Sequence, residues 1–190
     1  EIDINESMTL RNRDFINPLQ LASQDGKKDI VEYLINKWGA DSNYVPKKYS
    51  QTALCRASKK GHSEIVTFLL SKGAEVDPKN YKTYRYVHGE HSETAFHCAA
   101  SASASIDNSD IFKKLLDKYE ENKSQDYDYD YDILNKKEPK SWYTALGLAS
   151  KHGQFGIVKF LLDRRELKSK PNYKHMVSEA YSYALKGDHV

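Results

Sequence analysis

Four segments of the 190-residue chain repeat one another, and this internal repetition constrains the fold more than any other feature. Each segment has Thr or Asn, then Leu or Phe two residues later and Ala five residues later. The segments begin at Asn17, Thr52, Thr94 and Thr144. A second apolar set follows each one, with the spacing i, i+1, i+4, i+5, as in Ile65, Val66, Leu69 and Leu70. Because these positions share one face of a helix, each unit is predicted to be a helix–turn–helix pair.

The repeated pattern resembles the ankyrin repeat, whose signature is Thr-Pro-Leu-His-x-Ala at a period of about 33 residues. The second unit carries the resemblance best: from Gly61 to Asp77 it reads Gly-His-Ser-Glu-Ile-Val-Thr-Phe-Leu-Leu-Ser-Lys-Gly-Ala-Glu-Val-Asp. Gly26, Gly61 and Gly153 stand between the paired helices, where a left-handed glycine ends a helix. The resemblance implies an all-α solenoid of helix pairs joined by β-hairpin-like fingers.

The whole chain, 1–190, is predicted to form one ankyrin-repeat domain. Its units begin near residues 17, 52, 94 and 144, and a truncated fifth unit begins near residue 178. The middle spacings exceed the family period, so long insertions are expected at about 78–93, 101–110 and 119–142. Glu1-Ile2-Asp3 is similar to the closing Glu75-Val76-Asp77 of the second unit, and we therefore expect a longer array.

Composition and charge argue against several classes of protein. Apolar residues make up 39% of the chain, and no apolar run approaches the roughly 20 residues that a membrane helix needs. The net charge of +2 produces no strong field toward nucleic acid or membrane. The two cysteines, Cys55 and Cys98, are too few for a disulfide scaffold, which favours a reducing, cytoplasmic location. Helices about 8–10 Å apart also argue against a bridge between them.

The sequence shows no known catalytic motif, phosphate-binding loop or dinucleotide fingerprint. We therefore predict that the chain is not an enzyme and needs no cofactor and no small-molecule substrate. The densest group of candidate metal ligands is His88, Glu90, His91, His97 and Cys98. The resemblance implies a structural hydrogen-bonding role for His97, and no metal site is predicted.

In the ankyrin family, partners usually meet the concave surface made by the finger tips and the exposed ends of the first helices. The matching positions here are Arg13, Asp14, Gln24, Asp25, Lys48, Tyr49, Gln51, Lys59, Lys60, His91, Glu93, Lys140, Ser141, Tyr143, Lys151 and His152. Five of these residues are lysines from the second and fourth units, which favours a local basic groove and an acidic partner segment. The alternative is that these lysines only keep the surface soluble.

Two segments outside the helices are rich in tyrosine. The third finger, from Tyr81 to His91, carries Tyr84, Arg85 and Tyr86, which are residue types common at interaction hot spots. The alternative is a stiff hairpin that packs on the next unit. The tract 127–132 alternates Tyr with Asp, which suits a recognition strand, a phosphorylation target or an exposed insertion.

These features together predict a non-enzymatic scaffold that binds another protein through the concave face and the fingers. Two alternatives stay open. In the first, the chain is the host-targeting domain of an effector that an intracellular bacterium secretes into the host cytoplasm, with its activity elsewhere. In the second, the lysine face binds nucleic acid or anionic lipid with a steep salt dependence. The near-zero net charge and the lack of an aromatic stacking platform on that face argue against this second alternative.

Overall fold

The computed structural model of the chain describes residues 3–5, 8–9, 15–45, 51–77, 93–122, 144–164, 174–175, 177–178 and 180–182. Within these ranges eight α-helices form four consecutive pairs. They are α1 (Pro18–Gln24) with α2 (Lys28–Trp38), α3 (Ala53–Lys60) with α4 (Ser63–Ser71), α5 (Ala95–Ala100) with α6 (Ser109–Glu121), and α7 (Ala145–Lys151) with α8 (Phe155–Asp163). Helical residues also occur at 174–175, 177–178 and 180–182, where Ala180 is buried against the core.

The first helix of each pair begins at the repeated Thr or Asn because that side chain caps it. The Asn17 carboxamide oxygen accepts from the Gln20 amide at 2.8 Å, and the Gln20 side chain accepts from the Asn17 amide at 3.0 Å. The Thr52 hydroxyl accepts from the Cys55 amide at 3.1 Å. Each such cap is worth about 0.5–2 kcal/mol, which explains why every unit starts with one of these residue types.

The helix pairs stack in chain order, and the apolar core runs continuously through the stack. First helices contact first helices from α1 to α7, and second helices contact second helices from α2 to α8. Aromatic rings pack within the third unit and across to the fourth: the Phe96 ring lies 5.0 Å from the Phe112 ring of the same pair, and the Phe112 ring lies 6.3 Å from the Phe160 ring of the next unit. Together these contacts confirm the predicted all-α solenoid.

A short strand pair precedes the first unit. Strand β1 (Met8–Thr9) runs antiparallel to β2 (Phe15–Ile16), with Met8 opposite Ile16. This pairing is what a hairpin finger requires. The later residues predicted to lie in fingers, among them Lys48, Tyr49, the third finger from Tyr81 to His91, and Lys140, lie outside the described residues.

A left-handed glycine ends the first helix in three of the units. Gly26, Gly61 and Gly153 have φ values of 72°, 78° and 69°, which confirms the predicted turns. Gly61 is also closely packed, because a Cβ at this position would lie 2.6 Å from the Ile106 side chain of the next unit. This glycine therefore serves both the turn and the join between two units.

The inserted turn between α5 and α6 is held by a side chain of the following unit. Gln154 donates from its side-chain nitrogen to the backbone oxygens of Ala102, Ser103 and Ile106 at 3.2, 2.8 and 2.8 Å. Its side-chain oxygen accepts from the Asn108 amide at 3.3 Å. Because α6 begins at Ser109 and ends at Glu121, residues 109–110 and 119–121, which the sequence placed in insertions, are helical.

The residue before each second helix reaches back to the preceding unit. The His62 ring nitrogen Nε2 donates to the Gln24 backbone oxygen at 2.9 Å, and Asn108 Nδ2 donates to the Ser58 backbone oxygen at 2.8 Å. Gln154 is the same position in the fourth unit. Among the described residues, Lys27 of the first unit differs, because its side chain is exposed. Polar side chains at this position therefore tie the stacked units together.

Replacing Gln154 with alanine should destabilise the chain more than the same change at the equivalent Lys27. Gln154→Ala leaves buried turn carbonyls without their donor, and we expect a loss of about 2–3 kcal/mol. Lys27→Ala removes an exposed side chain and should change the free energy of unfolding by less than about 0.5 kcal/mol. Urea unfolding measures both; equal losses would show that Gln154 does not hold the turn.

Replacing Gly61 with alanine should destabilise the fold more than replacing Gly73 with alanine. Both glycines have positive φ, 78° and 84°, so either substitution strains the backbone by about 1 kcal/mol or more. Only the Cβ at Gly61 would also press on a neighbour, since a Cβ at Gly73 would meet no described atom within 4 Å. We expect Gly61→Ala to lower the free energy of unfolding by about 2–3 kcal/mol and Gly73→Ala by about 1 kcal/mol. The reverse order in urea unfolding would contradict the packing at Gly61.

Candidate functional site

The structure describes about half of the residues predicted to contact a partner. These are Gln24, Asp25, Gln51, Lys59, Lys60, Glu93, Lys151 and His152. The others lie outside the described residues and stay predictions: Arg13, Asp14, Lys48, Tyr49, Tyr84, Arg85, Tyr86, His91, Lys140, Ser141 and Tyr143.

Basic side chains from two different units lie at the same end of the first helices. Lys59 lies in the last turn of α3, and Lys151 holds the same position in α7. Helix α5 packs between α3 and α7, and its equivalent position is the small Ser101. The turn that follows Ser101 packs against the ends of both neighbouring helices, with Ile106 next to Gly61 and Ala104 next to Gly153. Sequence reasoning missed Ser101, although its place in the repeat alignment could have revealed it.

The two lysines act on one imidazole. His152 is half-buried, and burial lowers the pKa of His152 below its ordinary value of 6.5. The positive charges of Lys151 and Lys59 lower that pKa further. Since Lys59 comes from the second unit and His152 from the fourth, the structure gathers these charges across a whole repeat. We call Lys59, Lys60, Lys151 and His152 the basic cluster; Lys60 and Lys151 are exposed, and Lys59 is half-buried.

An acidic side chain lies near the other end of α5. Glu93, which precedes this helix, accepts a hydrogen bond from the Gln51 side-chain nitrogen at 2.9 Å. Its backbone oxygen accepts from the Cys55 thiol at 3.6 Å. The structure thus brings together Gln51 and Glu93, two predicted contact residues from neighbouring units. With Lys59 at the opposite end of the first helices, the face is negative at one edge and positive at the other.

Gln24 has a structural role that the sequence did not predict. Its side-chain oxygen accepts from Arg56 at 2.6 Å, and its backbone oxygen accepts from His62. Gln24 therefore joins the first unit to the second, whereas its neighbour Asp25 is exposed. Arg56 lies one helical turn before Lys59 on α3, and that spacing is the signal that could have identified it.

His97 is structural, as predicted. Its ring nitrogen Nδ1 accepts from the Thr94 amide at 3.3 Å and lies 2.8 Å from the Thr94 hydroxyl, and the side chain is buried. In the part of the chain that the structure describes, no three His, Cys, Asp or Glu side chains form a group that could hold a metal ion. His88, Glu90 and His91 lie outside that part.

The two cysteines are near enough for one thiol to influence the other. Cys55 and Cys98 are buried free thiols on α3 and α5. Burial raises the pKa of the Cys98 thiol well above its ordinary value, and the interaction with the Cys55 side chain adds to this effect. A buried thiol that stays protonated is a poor nucleophile, so this pair contributes packing to the site.

Comparison with known proteins identifies the family. The family model described as ankyrin repeats (3 copies) matches residues 2–80. An ankyrin repeat protein of Fowlpox virus (strain NVSL) is 30% identical over 161 residues, which are 85% of this chain. The chain belongs to the ankyrin repeat family. Ankyrin repeats are in general protein–protein interaction modules.

Two further relatives match shorter parts of this ankyrin-repeat chain. The ankyrin repeat and SAM domain-containing protein 6 of Rattus norvegicus is 39% identical over 69 residues, which are 36% of the chain. The ankyrin repeat and KH domain-containing protein mask of Drosophila melanogaster is 37% identical over 82 residues, which are 43% of the chain. The chain spans 8% of the rat protein, 2% of the fly protein and 40% of the viral protein. Among the described helices, none is long and apolar enough to cross a membrane.

Removing the charge of Lys59 should raise the pKa of His152. In Lys59→Gln a repulsive positive charge disappears, so the imidazolium becomes easier to form. Proton NMR of the His152 ring as a function of pH measures the change. Lys72→Gln, at the end of α4, is the control and should leave the titration unchanged. An unchanged His152 titration in Lys59→Gln would show that the two side chains do not share one field.

The lowered pKa of His152 also determines how its contribution to the free energy of unfolding changes with pH. The folded-state pKa of His152 is the lower one, so the unfolded chain takes up the proton more readily. The contribution of His152 to stability is therefore present above pH 6.5 and is lost as the pH falls below that value.

Proposed function

We propose that this ankyrin-repeat chain is a non-enzymatic scaffold that binds an acidic segment of a partner protein on its concave face, centred on the basic cluster. The observation that carries the proposal is that Lys59 and Lys151, from units separated by a whole repeat, act on the same half-buried imidazole.

The charge balance of the chain makes this clustering informative. Basic and acidic residues nearly cancel, 29 against 27, so a local concentration of positive charge does not follow from composition. Like charges that share one site repel each other, and a bound carboxylate relieves that repulsion. His152 supports the same interpretation: burial is the main cause of its lowered pKa, and the charges of Lys151 and Lys59 add a repulsion that a bound anion would offset.

The distribution of charge over the face suits an extended segment. Helix α5, which ends before Ser101, lies between the helices α3 and α7 that carry the lysines. Lys59 itself is half-buried, as a lysine is when its stem packs on the protein and its charged end reaches water. At the other end of the first helices, Glu93 would favour a basic residue of the partner. A segment with acidic residues near Ser101 and a basic residue near Glu93 would therefore complement the face.

The wider setting of the protein stays a prediction. A cytoplasmic location and a role as the targeting domain of a secreted bacterial effector rest on the sequence interpretation alone. The relatives described above come from a mammal, an insect and a virus.

The first test is affinity capture from nuclease-treated cell lysate, with proteins identified by mass spectrometry. The chain is compared with the double variant Lys59→Glu, Lys151→Glu and with a charge-matched control, Lys37→Glu, Lys159→Glu, whose exposed lysines lie on the second helices. We expect one partner to bind the chain and the control equally and the cluster variant at least about tenfold more weakly. The bound partner should elute between about 0.05 and 0.5 M salt.

Two results would contradict the proposal. Equal capture of the partner by the cluster variant would remove this face from consideration, provided that the variant melts at the same temperature as the chain. Capture of nucleic acid or of anionic vesicles, with a salt slope that the cluster variant reduces, would favour the electrostatic alternative instead.

A further inference from the structure

One isoleucine position behaves differently in the first unit from all later units. Ile30, Ile65, Ile111 and Ile157 are the third residues of α2, α4, α6 and α8. Three of them are buried, with 2%, 3% and 0% of their surface exposed, whereas Ile30 is 50% exposed. The isoleucine at this position is therefore exposed to solvent only in the first unit.

The neighbouring unit that each isoleucine faces explains why only Ile30 is exposed. The residue after each isoleucine shows the opposite trend, because Val31, Val66 and Phe112 are fully buried and Val158 of the last described helix is only half-buried. Each second helix thus turns its isoleucine toward the preceding unit and the next residue toward the following unit. Ile30 points to where a preceding second helix would lie.

Tyr33 extends the same exposed face. Its equivalent in the fourth unit, Phe160, is half-buried and packs its ring 6.3 Å from that of Phe112 in the preceding unit. Tyr33 is 56% exposed. A repeat that ends an array normally presents a polar outer face, since that face meets water. The face of α2 formed by Ile30 and Tyr33, which we call the α2 outer face, is apolar instead.

An independent observation comes from the turn at residues 3–5. The Asn5 amide donates to the Asp3 carboxylate at 2.9 Å, as the Asn43 amide donates to Asp41 at 2.8 Å after α2. The Asn5 side-chain oxygen accepts from the Asp41 amide at 3.0 Å, and that of Asn43 accepts from the Glu75 amide at 2.8 Å. Residues 3–5 thus have the structure and the contacts of the turn that closes a helix pair.

These hydrogen bonds between turns also correct the predicted similarity of residues 1–3 to residues 75–77. There Asp3 was matched with Asp77, whereas the hydrogen bonds place Asp3 with Asp41 and Asn5 with Asn43. The reason is that the side-chain contacts between neighbouring turns fix the register, and short acidic-apolar segments align almost equally well in two registers.

We infer that the α2 outer face is a stacking surface whose occupant is a further helix pair of the ankyrin type, joined directly to Asp3. The turn at 3–5 would close that pair as Asp41–Asn43 closes the first unit. Its second helix would cover Ile30 and Tyr33, as α2 covers α4. The interface is continuous with the one that already joins the four described pairs.

The test supplies such a pair from the chain itself. A second copy of residues 51–74, which contain α3 and α4, is fused in front of Asp3 and replaces Glu1 and Ile2. Asp3 then follows the added pair as Glu75 follows the original one. We expect the melting temperature to rise by at least about 5 °C and the amides of α2 to exchange at least about tenfold more slowly. The double change Ile30→Gln, Tyr33→Gln should abolish both gains. In the chain without the added pair it should shift the melting temperature by less than about 2 °C.

Three outcomes would overturn the inference. The first is an added pair that contributes no helical signal in circular dichroism or leaves α2 exchange unchanged. The second is a gain that persists in the Ile30→Gln, Tyr33→Gln variant. The third is a dimer of the original chain, seen by sedimentation and lost in the same double variant, since a second copy would then be the occupant.

Discussion

The burial of apolar side chains between neighbouring helix pairs is the interaction on which the rest of this structure depends. A single pair exposes one apolar face to each side, and only a neighbour removes that surface from water. The Phe112 and Phe160 rings show how directly one unit completes the next. Because the contacts are between neighbours, a residue near one end of the stack touches nothing at the other end. A concave face assembled from several units is the natural place for recognition in such an architecture.

Polar side chains add a second layer of order to this stack. His62, Asn108 and Gln154 each bond backbone oxygens of the unit before them, so that neighbouring turns are fixed relative to each other. Apolar packing alone tolerates small sliding between helices, whereas a hydrogen bond to a turn carbonyl does not. The ends of the first helices are thereby held in register, which is what allows Lys59 and Lys151 to act together.

The fold was predictable from sequence because its determinants are local. Helix starts depend on a Thr or Asn and the amide three residues later, and helix ends depend on a glycine such as Gly61, so a short window contains the whole signal. The candidate site is different in kind. Gln24 with Arg56 and Cys55 with Cys98 meet across units, where side-chain direction decides the contact. The effect of Lys59 on His152 likewise joins side chains that lie two units apart in the sequence. None of these distances follows from a repeat pattern.

The bonds from Gln154 to the turn between α5 and α6 have a consequence for how the array comes apart. The turn lies in the third unit, but the side chain that holds it, Gln154, comes from the fourth unit. Loosening of α8 would therefore release a loop one unit away, next to Ser101 and the lysines. The turn between α5 and α6 is therefore expected to open together with the start of α8 rather than with the rest of its own unit.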